Sequence, residues 1–192
     1  MGMPRLVPRL LKGPFTVGDY HRMAETGVLR RDARVELLDG QVVEMSPIGS
    51  RHADCVDLRL AELLFRAVSG QATVRVQNPV VLDDRSEPEP DVSLLRRRAG
   101  GYAAGHPRPA DVILVIEVMD TSADRDRDVK IPLYARAGIP EVWLVDLDAD
   151  TVEVYREPGE VGYAVVRTAT RDDALVPLHL ATVTLSGADI LG

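Results

Sequence analysis

The 192 residues carry a formal net charge of -7, with 30 acidic against 23 basic side chains. That balance argues against a protein that coats nucleic acid, because neutralisation of phosphates by Lys and Arg dominates non-specific affinity. Hydrophobic residues at 45% and charged residues at 28% are the proportions of a globular chain, neither disordered nor fibrous, and the length suits one domain with a sizeable core.

The longest apolar run, Val112 to Ile116, is far short of the ~20 residues that a membrane helix needs. Cys55 stands alone, so an internal disulfide and a cysteine zinc site are both excluded, and the expected setting is the cytoplasm. An enzyme with an acidic metal cluster needs only a local basic rim, for which Arg96, Arg97 and Arg98 are candidates.

In chain order, residues 1–14 read as a loose arm. They are basic but broken by Pro4, Pro8 and Pro14, with no continuous apolar core of a secretory signal. Residues 15–192 then form the single expected domain. Thr16 or Gly18 starts a short helix to about Ala24, ended by Gly27. Arg34–Leu38 and Gln41–Met45 flank Asp39-Gly40, a two-residue turn that needs positive φ at both positions, and the pair predicts a hairpin. Counting outward from this turn sets Glu36 on one face with Leu38, Val43 and Met45.

After the break at Ser46-Pro47 to Gly49, a helix is predicted from about Ser50 to Val68, with His52, Val56, Leu60, Leu63, Leu64 and Ala67 inward. Thr73–Val76 alternates as a strand that Val80–Leu82 extends, and another strand begins at Asp91, directly after Pro90. Gly100–Pro109 is a loop. Asp111–Met119 has the continuous apolar run of a strand covered on both faces and is predicted to be central. A loop and helix over Asp124–Ala137 close at Gly138. The strands Glu141–Asp146, Thr151–Arg156, Tyr163–Arg167 and Leu178–Leu185 follow. The order implies an α/β (α+β) class with a mixed sheet and few helices.

The chemistry concentrates on acids. Glu117 ends the most buried strand, where a carboxylate is costly unless it is paired or bound to a cation. Asp91 begins a neighbouring strand and gains weight only by pairing with Glu117. Met119 shares the face of Glu117 and carries no charge. The chain has two lysines, Lys12 and Lys130, and arginine holds its proton too tightly to be a base. The alternative for Lys130 is an exposed pair with Asp126 at i, i+4.

These motifs carry a resemblance. Pro90-Asp91, Ile116-Glu117-Val118, Asp126-x-x-x-Lys130-x-x-x-Tyr134 and Ala137 through Trp143 occur in series. Glu36 through Gly40 and Ser46-Pro47 through His52 precede them, and the whole resembles the Uma2 family of restriction endonuclease-like proteins within the PD-(D/E)XK superfamily. The similarity spans about Phe15 to Tyr155. It implies a restriction-endonuclease-like mixed central sheet flanked by helices, with added antiparallel hairpins. The implied function is that of an endonuclease cleaving DNA, acting as a homodimer with no membrane partner.

The signature departs from the superfamily at Met119, where a lysine is usual, and the resemblance implies a relocated lysine at Lys130. It also implies a metal held by Asp91, Glu117 and the backbone carbonyl of Val118, with Asp91, Glu117 and Lys130 catalytic. Glu36 resembles the superfamily's outer acidic ligand. His52, Gln77 and Tyr134 are additional candidates, with core roles as the alternative for each. Carboxylates without cysteine favour Mg²⁺ or Mn²⁺. Two other functions fit the sequence: a non-catalytic nuclease-fold binding or assembly module, which fold alone permits, and a hydrolase of a small phosphorylated substrate, for which Gly100-Gly101 is a weak phosphate loop.

Overall fold

The computed structural model describes residues 13–30, 32–120 and 126–192, so most of the expected arm and the start of the Asp124 loop lie outside the described residues. The elements are α1 (Val17–Glu25), β1 (Val35–Leu38), β2 (Gln41–Glu44), α2 (Ser50–Ala53), α3 (Glu62–Ala67), β3 (Ala72–Val76), β4 (Val92–Arg96) and β5 (Val112–Met119). After them come α4 (Ile131–Arg136), β6 (Glu141–Asp146), β7 (Thr151–Gly159), β8 (Gly162–Ala169), β9 (Ala174–Leu175), β10 (Leu185–Ser186) and α5 (Gly187–Leu191).

Six strands form the main sheet in the order β3-β4-β5-β6-β7-β8. Only the β5–β6 pair is parallel, and the chain between them crosses over through α4; every other pair is antiparallel. The fold is therefore a mixed α+β sheet with few helices, as the sequence pattern implies.

All eight residues of β5 are buried, which is why its apolar run is unbroken. The alternation of β5 divides the core in two. Leu114, Ile116 and Val118 face Cys55, Val56, Leu60 and Leu64 of the α2–α3 stretch. Val115 and Met119 face Leu133 and Tyr134 of α4. Glu117 falls on this second face, between two apolar neighbours.

The β1–β2 hairpin has the predicted register, with Leu38 opposite Gln41 and Glu36 opposite Val43. Asp39 and Gly40 take φ values of 51° and 78°, the positive pair that a two-residue turn demands. Thr16 and Asp19 form a capping box at the start of α1.

Three expectations fail locally. The helix from Ser50 is not uniform: between α2 and α3 it widens into π-helical turns over Asp54–Ala61, and Cys55 becomes a fully buried member of its inner face. Val80–Leu82 does not extend β3. Gln77 takes a φ of 48° and turns the chain out of the ladder, and Val80 and Leu82 donate instead to the carbonyls of Pro88 and Ser86 at 3.0 and 2.9 Å. The last predicted strand, Leu178–Leu185, is mostly successive turns, with Leu180 N–H on Pro177 O at 3.0 Å and Val183 N–H on Leu180 O at 2.8 Å. Only Leu185–Ser186 pairs, with β9. No described helix is long and apolar enough to cross a membrane.

Candidate active site

The sheet geometry brings the sequence-predicted acids together. Extending the β4–β5 register by two places past Val92↔Ile116 sets Pro90 opposite Val118. Proline has no N–H to offer the Val118 carbonyl, so the ladder stops there. The Asp91 carboxylate takes over the other half of the pair: Val118 N–H donates to Asp91 Oδ2 at 2.9 Å. From the opposite side, Gln77 N–H donates to the Asp91 carbonyl at 2.8 Å, so the turn that ends β3 also fixes the backbone of Asp91. Positive φ in a non-glycine residue at this place is a strained conformation held beside the acids.

Glu117 extends the cluster. Its Oε2 accepts weakly from Asp91 N–H at 3.5 Å, and its Oε1 accepts from the Tyr134 hydroxyl at 2.6 Å. The ammonium of Lys130 lies 3.3 Å from Glu117 Oε1 and 3.2 Å from Glu36 Oε2. Residues four apart on a helical stretch share a face, and that spacing brings both Lys130 and Tyr134 onto one carboxylate. Glu36 comes from the hairpin, and its Oε2 also accepts from Glu89 N–H at 3.2 Å. His52, on α2, places Nε2 2.8 Å from Asp91 Oδ1.

All four of the central charged residues are removed from solvent: Glu36 is 5% exposed, Asp91 9%, Glu117 2% and Lys130 4%. Two of the carboxyl groups, on Glu36 and Glu117, face the Lys130 ammonium, and the third, on Asp91, faces His52. Met119, two residues after Glu117, is a buried apolar side chain in the core that holds Tyr134.

Tyr134 is fully buried, and its hydroxyl is engaged by Glu117 rather than turned outward. Gln77 enters through its backbone. The expected Asp126–Lys130 pairing lies outside the described side chains. The proposed rim of Arg96, Arg97 and Arg98 is misplaced: it sits at the far end of β4, about 17 Å from Asp91 at ~3.3 Å per residue. There Arg96 Nε and Arg97 Nη1 donate to the Ala110 and Gly70 carbonyls at 3.2 and 3.0 Å, and Arg98 lies over the Tyr102 ring.

Sequence reasoning missed Glu89. Burial pushes its carboxyl up, Arg34 pulls it the other way, and the Glu36 carboxylate adds to the rise. The signal was present, because Glu89 and Asp91 are two apart in extended chain and share a side.

A mixed sheet with acids and a lysine gathered where its central strands end defines a nuclease-like α+β protein. The family model Uma2, described as "Putative restriction endonuclease", matches residues 17–187, and the chain belongs to that family. Among solved structures, the chain is similar to "a putative nuclease belonging to DUF820" from Anabaena variabilis, at 20% identity and a TM-score of 0.73. The likeness covers 93% of this chain and 98% of that one, and it concerns the fold. No functionally curated protein matches the chain.

Proposed function

We propose that the chain is a metal-dependent endonuclease that hydrolyses phosphodiester bonds of DNA. In this reading Asp91, Glu117 and the Val118 carbonyl hold Mg²⁺ or Mn²⁺, and Lys130 serves the reacting phosphate. The observation that carries it is the position of Lys130, whose Nζ is 3.3 Å from Glu117 Oε1 at the sheet end occupied by Asp91.

The donor chemistry fits a hard divalent ion. Two carboxylates and a carbonyl set opposite Pro90, which has no N–H to give it, are oxygen ligands of the kind such an ion takes. Such an ion, when bound, polarises the scissile phosphate and lowers the pKa of an attacking water.

The protein's own groups supply the rest. Lys130 is held between Glu36 and Glu117, so its ammonium is oriented before substrate arrives and stabilises charge developing on the phosphate. Tyr134 fixes the Glu117 carboxylate through a hydrogen bond inside the core, where water cannot compete. The His52 side chain is 17% exposed and that of Asp91 12%, against 5% for Lys130 and 3% for Glu117. Substrate therefore approaches from the His52–Asp91 side, and His52 becomes a phosphate or water contact.

A second reading, a non-catalytic binding or assembly module, has its own support. Each oxygen of Asp91 and Glu117 lies within reach of a protein donor, and among the described residues no group of three or more His, Cys, Asp and Glu side chains is arranged to hold a metal. One experiment separates the two. Purified protein is incubated with plasmid and with single-stranded DNA in Mn²⁺, in Mg²⁺ and in chelator, beside Glu117→Ala. Metal-dependent cleavage that Glu117→Ala loses is the expected result. Absence of both Mn²⁺ binding and cleavage leaves the module.

A further inference from the structure

We propose that the arginine corner around Tyr102 binds the phosphate backbone of duplex DNA, as a second contact remote from the acid cluster. The corner is formed by Arg75 on β3, Arg96 at the end of β4 and Arg98 in the loop that follows, with Arg97 and Arg108 beside them. Tyr102 sits among them. Its hydroxyl donates to the Arg96 carbonyl at 2.7 Å, and the Arg98 guanidinium lies 4.6 Å from the centre of its ring. Burial and Asp111 push the Tyr102 phenol up, while Arg98, Arg75 and Arg96 pull it down, so three cations converge on one side chain.

The charge at this corner is not cancelled. Nine arginines elsewhere are each ion-paired with an Asp or Glu, as suits a chain whose net charge is -7. Among the described residues, the five arginines of the corner have no such pair. Neutral carbonyls hold two of them: Arg96 Nε donates to Ala110 O at 3.2 Å and Arg97 Nη1 to Gly70 O at 3.0 Å, which orients each guanidinium and leaves its charge exposed. Arg75 is half-buried. Its Nη2 donates to the neutral Asn78 Oδ1 at 2.6 Å, and its Nη1 meets no hydrogen-bond partner.

Chemistry and spacing together select a phosphate backbone. A guanidinium presents planar paired donors that match phosphate oxygens, and stacking on an aromatic ring holds that plane in place. Uncancelled arginines on an otherwise acidic chain make a local positive field, which attracts a polyanion. The strand from Asp91 to Arg96 spans about 17 Å at ~3.3 Å per residue. At ~3.4 Å per nucleotide this is about five base steps, half a helical turn, so one duplex held at the acids lays its flanking backbone on the corner. Arg75 stands opposite Ser93, two residues from Asp91, and so carries positive charge part of the way between the two ends. The choice of DNA rests on the nuclease reading, which takes the acid end as the place of cleavage; the uncancelled charge does not.

Anisotropy of a short fluorescein-labelled duplex, titrated with the full chain in chelator over a series of salt concentrations, tests the proposal without any cleavage. Each phosphate contact contributes about 0.9 to the slope of log affinity against log salt, so Arg96→Gln/Arg98→Gln should lower that slope by about 1.8. Affinity should fall about tenfold or more, as for loss of charge-assisted hydrogen bonds. Arg96→Lys/Arg98→Lys keeps the charge and should keep most of the slope. Arg30→Gln/Arg167→Gln removes equal charge from exposed arginines already paired with Asp32 and Asp173, and should leave the slope unchanged. The duplex should also shield Arg96 and Arg98 of the unmodified chain from phenylglyoxal, read by peptide mass, a measurement that needs no variant to fold.

An unmodified chain that binds no duplex overturns the proposal, as does a glutamine variant with the unmodified slope or an absence of shielding. Binding of poly-glutamate but not of duplex through the two arginines also overturns it, and makes the corner a docking site for an acidic protein. Cleavage in Mn²⁺ is read in parallel. Duplex binding through the corner with no cleavage removes the nuclease reading and leaves the corner, whereas cleavage by Arg96→Gln/Arg98→Gln at unchanged KM removes the corner and leaves the nuclease.

Discussion

Lys130 stands 3.3 Å from Glu117 although the residue two places after Glu117 is a buried methionine. A helical turn thus delivers the cation that the strand of Glu117 does not carry. If this ammonium serves the phosphate, Lys130→Met lowers cleavage by about 10²–10⁴-fold, the range for a positioned proton-transfer or electrostatic group. Mn²⁺ binding should persist, whereas Glu117→Ala should lose both.

Removing the lysine leaves Glu36 and Glu117 buried without it, at a cost of about 3–5 kcal/mol. Assays of Lys130→Met therefore belong well below its melting temperature, and added Mn²⁺ should raise that temperature more than it does for the unmodified chain. Lys130→Arg keeps the charge, and residual cleavage in it favours an electrostatic role over a base. Full activity in Lys130→Met sinks the mechanism.

The Tyr134 hydroxyl is 2.6 Å from Glu117 and fully buried, so its removal is a clean test of what positions the acid. Tyr134→Phe keeps the ring packing and deletes one hydrogen bond to a carboxylate, at a cost of about 1–3 kcal/mol in urea unfolding. Weaker Mn²⁺ binding should accompany the loss, because a less restrained Glu117 is a poorer ligand. Unchanged stability and unchanged Mn²⁺ affinity together would show that this contact positions nothing.

How far the sequence announced this site depended on whether the signal was local. The Asp39-Gly40 turn fixes the hairpin register by itself, and with it the face of Glu36. The apolar run of β5 fixes Glu117 at the end of a doubly covered strand. Lys130 was legible by elimination, as one of two lysines. Arg96 to Arg98 were misplaced because charge in a sequence carries no direction, and β4 runs away from Asp91 toward them. Val80–Leu82 reads as strand by composition, but the positive φ of Gln77 is a tertiary outcome that no glycine advertised. The Leu178–Leu185 segment is apolar because it packs on the core, which periodicity does not distinguish from pairing.

Alkaline titration probes the cover over the acids. Tyr20 donates to the Val35 carbonyl at 2.8 Å, and burial, with Glu87, Glu89 and Glu36 nearby, pushes its phenol up to about 12. A raised folded-state value favours the neutral phenol, so the stabilisation is complete below pH ~10, where the unfolded phenol ionises, and is lost as pH climbs toward 12. Chemical unfolding should show stability falling across that window, and Tyr20→Phe should flatten part of the fall. Tyr155, also pushed up to about 12 by burial and then by its hydrogen bond with Glu153, accounts for a further part. A Tyr20→Phe profile that coincides with the unmodified chain at every pH would refute the assignment.

Glu141 supplies the control that separates folding from chemistry. It is fully buried at the start of β6, and its carboxylate accepts from Trp143 Nε1 at 2.9 Å and from Arg156 Nε and Nη2 at 2.9 and 2.7 Å. It also accepts from Leu178 N–H at 2.6 Å, so one acid ties β6, β7 and the C-terminal segment together. In the parallel pair Val142 lies opposite Val115, whereas Glu117 lies opposite Leu144, so Glu141 is set back along the sheet from the acid cluster. Glu141→Ala strips several donors of their acceptor, for which about 3–5 kcal/mol is the usual cost of breaking a buried pair. The lower end applies, because the Arg156 side chain is 32% exposed and recovers some hydration. At about 2–4 °C per kcal/mol for a chain of this size, the melting temperature should fall by roughly 6–12 °C. Mn²⁺ affinity measured below that temperature should not change. If Glu141→Ala melts normally, the carboxylate does not join these elements; if it folds but loses Mn²⁺, the ion sits elsewhere than between Asp91 and Glu117.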